Sequence, residues 1–316
     1  MLIAVERAIE SVLTLFLLGL VGFILYRRKW ISQETKELLP KFIVVVILPP
    51  FLLHHITSGF ERDSLLHLVR GAIVPAISIM LTYLISCVVA VVFKIDKKRR
   101  GVFGAAWGFS NTMFIGLPVN MTLFGEEAVS YVLLYYFGNT LFFWTIGNYI
   151  ISRDGGQKHI RLFSVATLKQ VFSPPLQAFV VGIIMVLCGI SMPGFIQEAL
   201  DSIGSMTTPL ALMFIGMTLA AMNFQNLKID RDVILVLIGR FIVSPLTMLL
   251  TIAFIDLPPL MTKVFIIQSM LPVGAMIAVM PSYFNADAEY GSVLVSLSAL
   301  LSMIVLPLGM VLVSLL

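Results

Sequence analysis

Ser110, Asn111 and Thr112 stand together in the stretch FSNTMFIGLPVN (residues 109–120), followed by Gly116 and Pro118. Two hydroxyls and a carboxamide supply donors and acceptors without charge. Pro118 has no amide proton, and its ring crowds the carbonyl four residues back, near Phe114. Gly116 adds an uncovered backbone. Backbone groups freed inside an apolar run cost several kcal/mol each unless protein or a water-filled cavity satisfies them. The stretch QSMLPVGA (268–275) repeats the defect, with Pro272 and Gly274 beside Gln268 and Ser269. The chemistry this predicts is binding. Half-helix N-termini near Gly116 and Gly274 would present amides and a partial positive charge to an anion.

The elements that must position these residues are membrane helices. The chain has 316 residues, 59% hydrophobic and 12% charged, with a mean hydropathy of +1.01. A soluble domain is nearer 45–50% apolar and about 25% charged. Apolar runs recur at lengths matching the ~20 residues that cross a bilayer as helix. They predict an all-α protein of ten transmembrane helices over 4–26, 38–58, 68–93, 101–123, 127–151, 171–190, 206–222, 232–254, 258–283 and 288–315. Glu6 and Glu10 stand where a leader would be basic, so the first run reads as a span. Residues 158–169 and 194–204 mix polar and apolar positions and read as surface-lying or connecting segments.

Lys and Arg set the orientation. Arg27, Arg28, Lys29, Lys36 and Lys41 follow the first span, and Lys94, Lys97, Lys98, Arg99 and Arg100 the third. Arg153, Lys158, Arg161 and Lys169 follow the fifth, and Lys228 and Arg231 the seventh. That side is predicted cytoplasmic, with both termini outside a cell membrane. The net charge of +4 therefore reports topology and gives no reason to expect nucleic acid as a partner.

The linker 152–170 divides the chain into a first five-helix repeat, 1–151, and a second, 171–316. An odd number of spans per half inverts the second half. The fourth helix of each half then carries the break, near Pro118 and near Pro272, at about the depth of the bilayer midplane. Paired Gly/Pro-interrupted spans at corresponding positions point to the binding site of a secondary transporter.

Other polar residues lie at depth. Arg240 sits roughly 12 Å into the eighth span, where it either holds a carboxylate or snorkels to the inner surface. Asn139 either lines the cavity or bonds between helices. Tyr135 and Tyr136 read as cavity or packing residues, and Ser296, Ser298 and Ser302 as helix-packing residues. Cys87 and Cys188 read as packing thiols. His54 lies toward the outer end of the second span. No metal cluster, cofactor motif or catalytic constellation is legible, so an enzyme is not expected. The mid-depth spans carry no acidic residue to build a carboxylate-based sodium or proton site.

The block NTxFIGxP, from Asn111 to Pro118, followed by Phe124-Gly-Glu-Glu127, resembles the first signature of the auxin efflux carrier family. LPPFLL (48–53), TPLALMFIGMTLA (208–220) and the Pro272 region resemble further blocks, so the likeness spans nearly the whole chain. It implies a bacterial-type, malate/malonate permease-like member with a sodium/proton-antiporter-like fold and two crossed, broken helices. It further implies a scaffold of helices 1, 2, 6 and 7, a transport domain of helices 3–5 and 8–10, and a homodimer through the scaffold. The expected function is transport of a small organic anion, such as a dicarboxylate. Access would alternate by an elevator-type movement of the transport domain. Substrate would sit at Ser110, Asn111, Thr112, Gly116, Asn139, Gln268, Ser269, Gly274 and Arg240. A sodium- or proton-coupled symporter related to bile-acid carriers is the alternative.

Overall fold

A computed structural model describes residues 2–59, 71–156, 172–221 and 229–314. Arg62, Arg70, Lys228 and the segment 158–169 lie outside the described residues. In chain order the helices are α1 Leu2–Arg27, α2 Gln33–Gly59, α3 Ile73–Val92, α4 Arg100–Gly108 and α5 Thr112–Phe124. There follow α6 Glu127–Asp154, α7 Pro174–Leu187, α8 Gly194–Gly204, α9 Thr207–Ala221 and α10 Arg231–Ile252. The last three are α11 Pro259–Ser269, α12 Met276–Phe284 and α13 Ala288–Ser314. Helix occupies each of the ten expected ranges. Among the described residues, six segments are long and apolar enough to cross a membrane: α2, α3, α6, α8 with α9, α10, and α13 to Val313.

Local chemistry sets the helix ends. Ser32 Oγ accepts the Thr35 amide at 3.2 Å and caps α2. Asp230 Oδ1 accepts the Val233 amide at 2.9 Å and caps α10. Proline stands in the first turns of α7 and α11, where a missing donor costs nothing. Gly125 (φ 75°) ends α5 and Asn285 (φ 60°) ends α12 in backbone that glycine and asparagine tolerate.

The helices pack in two groups. In one, α1 lies along α9, while α2 packs on α7, α8 and α9. Contact between α1 and α9 is backbone on backbone. A Cβ on Gly22 would lie 2.0 Å from the Met213 carbonyl oxygen, and one on Gly216 would lie 1.8 Å from that of Gly19. Small residues that admit such approach drive helix association in lipid, where apolar burial gives no advantage. In the other group, α3, α4, α6, α10, α11, α12 and α13 pack on one another. Buried hydroxyls join α3 to α10: Thr82 Oγ1 lies 2.6 Å and Ser78 Oγ 3.3 Å from Thr247 Oγ1.

Four chain segments meet at one end of the second group. Arg99 donates to Asp287 at 2.6 Å and to Asp230 at 2.9 Å. Arg231 donates to the Phe93 carbonyl at 2.8 Å. Asp154 Oδ2 accepts the amides of Gly101 at 2.6 Å and Val102 at 3.0 Å. The segments after α3 and α6 and before α10 and α13 therefore share an end.

Two expectations are corrected here. Cys87 and Cys188 are exposed, not packed. Cys87 lies beside Leu84, Val88 and Val91, which form the outward face of α3. The first helix break also lies earlier than expected. The chain leaves helical geometry at Phe109 (φ −105°, ψ 120°) and Asn111 (φ −81°, ψ 68°), and Gly116 and Pro118 are inside α5. A π-turn over Thr112–Gly116 bonds the Gly116 amide to the Asn111 carbonyl, five residues back, at 3.1 Å. Pro118 follows this turn, in the first turn of the regular helix Leu117–Phe124, where a missing donor is tolerated. The second break, between α11 and α12, does contain Pro272 and Gly274.

Candidate functional site

The two breaks meet. Ser110 and Val273 form an antiparallel bridge. The Asn111 amide donates to the Pro272 carbonyl at 3.0 Å, and the Gly274 amide donates to the Phe109 carbonyl at 3.0 Å. Each interruption supplies the partners that the other lacks, which is how non-helical backbone is tolerated at membrane depth. Two side chains complete the accounting. Asn139 brackets the Ser110 backbone, its Oδ1 accepting the amide at 3.1 Å and its Nδ2 donating to the carbonyl at 3.2 Å. Ser298 Oγ accepts the Val273 amide at 3.1 Å. Gly274 was expected to offer its amide to a ligand; that donor is already engaged, and so is the Gly116 amide.

A cavity of about 210 Å³ lies against this crossing. Ser110, Asn111, Thr112, Asn139 and Gly274 line it, together with Tyr136 and Thr140 of α6. Val44, Phe143 and Trp144 supply apolar wall. The Ser110 hydroxyl is buried without a protein partner. The first residues of α5 (Thr112, Met113, Phe114) and of α12 (Met276) also border the cavity. The Thr112 amide already donates to the Ser110 carbonyl at 3.0 Å; the other first-turn amides have no carbonyl one turn back inside their own helix, so two positive dipole ends converge on one space. Among the described residues, no charged side chain lines it.

Gly116, Gln268, Ser269 and Arg240 were expected at this site, and the structure does not bring them to the cavity wall. Gly116 faces Gln268: an added Cβ would lie 2.6 Å from its Oε1 and 2.8 Å from its Nε2. The Gln268 amide is fully buried, with neither end hydrogen-bonded. Ser269 donates its hydroxyl to the Ile266 carbonyl at 2.6 Å.

Arg240 neither reaches the cavity nor snorkels. It is completely buried. Its Nη1 donates to the Trp107 carbonyl at 2.8 Å and its Nη2 to the Ser269 carbonyl at 2.6 Å. Those carbonyls end α4 and α11, the two half-helices whose C-termini point at the crossing. One guanidinium therefore neutralises two negative dipole ends, while the two positive ends border the cavity. Sequence reading placed the charge at depth but missed its partners, which are backbone atoms 133 and 29 residues away.

All four π-turns in the described residues lie around this region. Ile43–Ile47 contributes Val44, Thr112–Gly116 begins α5, Phe143–Gly147 contributes Phe143 and Trp144, and Gly239–Val243 carries Arg240. Such turns cluster at functional sites, and no sequence signal marked them. Of the tyrosine pair, Tyr136 lines the cavity and Tyr135 is buried elsewhere. His54 lies away from the cavity, with Nε2 3.7 Å from Asp201 Oδ1 of α8.

The family model described as membrane transport protein matches residues 7–310, almost the whole chain. The chain belongs to that family. This membrane transport protein thus falls where its auxin efflux carrier signature placed it. It is 28% identical over 307 residues to an uncharacterized transporter of Methanothermobacter thermautotrophicus, covering 95% of this chain and 96% of the relative. It is 24% identical over 287 residues to an uncharacterized transporter of Methanocaldococcus jannaschii, covering 89% and 90% respectively.

Proposed function

We propose that the protein is a secondary transporter of small organic anions, and that its substrate is a dicarboxylate of the size of malate or malonate. The observation that carries this reading is the crossing cavity, where two helix N-termini converge on a mostly apolar space whose polar lining groups are neutral among the described residues. Each dipole end favours one negative charge, which suits a substrate with two carboxylates. Size supports the same class. The cavity of about 210 Å³ is below the ~300–1,000 Å³ of drug-sized sites and holds roughly seven waters' worth of volume at ~30 Å³ each.

The substrate would rest against Ser110, Asn111, Thr112 and Asn139, with first-turn amides of α5 and α12 completing its shell. The fold belongs to the proposal: ten spans as two inverted five-helix repeats, both termini outside a cell membrane. Access would alternate as α3–α6 and α10–α13 move as one body against α1, α2, α7 and α9. The two packing groups support that division for every helix but α5, which packs on α1 and α9 as well as on α6 and α11, and the seam between the groups supports it too. That seam contains a cavity of about 190 Å³ whose walls from α1, α5, α9 and α13 are almost wholly apolar. A homodimer through α1, α2, α7 and α9 is part of the same reading and is tested by light scattering of the purified protein.

Coupling to sodium or protons is the second reading. The buried Gln268 Oε1 and Asn120 Oδ1, both without hydrogen-bond partners, favour it as neutral oxygens available to a cation. One experiment separates the two. Charge movement is recorded from proteoliposomes on jumps to malate, malonate, citrate, lactate and an indole acid, with and without sodium. A sodium-independent response confined to dicarboxylates is expected. A response only in sodium selects the symporter. No charge movement and no radiolabel uptake for any anion overturns the anion assignment.

A further inference from the structure

A second cavity, of about 620 Å³, opens between α3, α4 and α6 at the end where Arg99 ties the helices together. It shares no lining residue with the crossing cavity. We propose that it binds the phosphate headgroup of an anionic phospholipid.

The lining is unusual for a membrane helix cluster. Lys97, Arg100 and Arg153 line it, and Tyr83 and Ser86 line it from α3, the Ser86 hydroxyl already donating to the Tyr83 carbonyl at 2.6 Å. One acid, Asp154, is present, and its Oδ2 is already committed to the Gly101 and Val102 amides. Among the described residues the cavity therefore has three cations against one carboxyl. Arg100 spends one guanidinium donor on the Ile95 carbonyl at 3.0 Å, and Arg153 lies 5.7 Å from the Tyr149 ring centroid. A guanidinium has five donors, so both retain donors for a phosphate. Space on the floor depends on Gly104: a Cβ there would lie 3.1 Å from the Tyr83 ring and 3.2 Å from the Ser86 hydroxyl.

A free anion would need only the charges; the neighbouring surface selects an amphiphile. Val91 belongs to the cavity wall and is 65% exposed. Leu84, Val88 and Val92 continue that exposed apolar face along α3. A ligand with its phosphate among Lys97, Arg100 and Arg153 would thus lay its acyl chains against α3. Basic clefts between membrane helices at the leaflet surface recognise headgroups in this way. The site lies outside the crossing, so its test does not depend on which substrate is moved.

The test uses the full-length protein in detergent, titrated with phosphatidylglycerol or phosphatidylcholine and read by native mass spectrometry. Lys97→Gln/Arg153→Gln is compared with Lys94→Gln/Lys98→Gln, which removes the same charge from side chains outside the cavity. Each basic side chain near a lipid surface contributes about a fivefold preference, so the first pair should lower the phosphatidylglycerol preference by roughly thirtyfold. The control pair should leave it within about twofold. Equal loss in both pairs, or no preference in the parent protein, overturns the proposal. Glycerol 3-phosphate displacing the lipid at equal concentration would also overturn it, by assigning the cavity to a soluble phosphate.

Discussion

Replacing Arg240 separates charge from geometry in a way the structure makes quantitative. The guanidinium bonds to the Trp107 carbonyl, and Ser110 at the crossing lies three residues beyond Trp107 in the chain, within about 10 Å. Taking roughly 10 Å as the separation of the guanidinium from a bound carboxylate, a unit charge acts with about 1.7 kcal/mol at an effective dielectric constant near 20. Arg240→Met should therefore weaken binding of a monocarboxylate about fifteenfold and of a dicarboxylate by a few hundredfold. The carbonyls fare differently. Ser269 keeps the Ser244 hydroxyl at 3.1 Å, whereas the Trp107 carbonyl loses the donor that the guanidinium provides. One orphaned buried carbonyl costs about 1–3 kcal/mol, a fall of a few degrees in melting temperature. Arg240→Lys keeps the charge but cannot span two carbonyls with one ammonium. It should melt lower than the parent yet bind the anion within a few fold of it. Affinity is measured by substrate-induced thermal shift and by apparent KM in proteoliposomes. If Arg240→Met stays folded and binds as the parent does, or if Lys fails to restore affinity, the electrostatic account of Arg240 is wrong.

Other residues give sharp expectations. Asn111→Ala should cut transport at least tenfold with little change in melting temperature, because Asn111 lines the cavity; unchanged uptake kinetics would remove it from the site. Asn139→Ala strips both bonds from Ser110 and should lower stability by about 2 kcal/mol as well as uptake, read by melting in detergent. Gly116→Ala drives a methyl to within 2.4 Å of Leu271 Cδ1 and 2.6 Å of Gln268 Oε1, an overpacking cost of about 1–3 kcal/mol checked by the same melting assay. Arg99→Ala breaks two partly exposed ion pairs, each worth about 0.2–1 kcal/mol; the loss should shrink as salt rises toward 1 M.

Much of the helix plan was legible because one solvent dominates. Apolar runs of spanning length, ended by Ser32, Asp230, Pro174 and Pro259, leave few alternatives in lipid. The pairing of two breaks was also legible, since proline and glycine recur near the centre of two such runs. Which residues form the first break was not. Pro118 reads as a helix breaker locally, but it stands inside α5 just after a π-turn, and the chain opens at Phe109–Asn111, where Val273 and Asn139 hold it. Those partners are set by tertiary packing and leave no local mark. Arg240 shows the same limit: its depth was readable, whereas its role depends on two carbonyls of distant chain segments. Ser298 looked like a small packing residue, yet it accepts an amide of the second break.

The mutual pairing of the breaks also has a consequence for biosynthesis. Asn111 leaves the ribosome about 160 residues before Pro272, which accepts its amide. At ~5–20 residues per second that interval is roughly 8–30 s. During it, the Phe109 carbonyl and the Asn111 amide have no final partner, while Asn139, only 29 residues after Ser110, arrives early enough to hold that residue. The first half therefore enters the bilayer with an open seam that only the second half can close. Insertion machinery or water must shelter the seam until the ninth apolar run arrives. Chains truncated after α10 should consequently be targets for membrane quality control, although every helix they contain is intact.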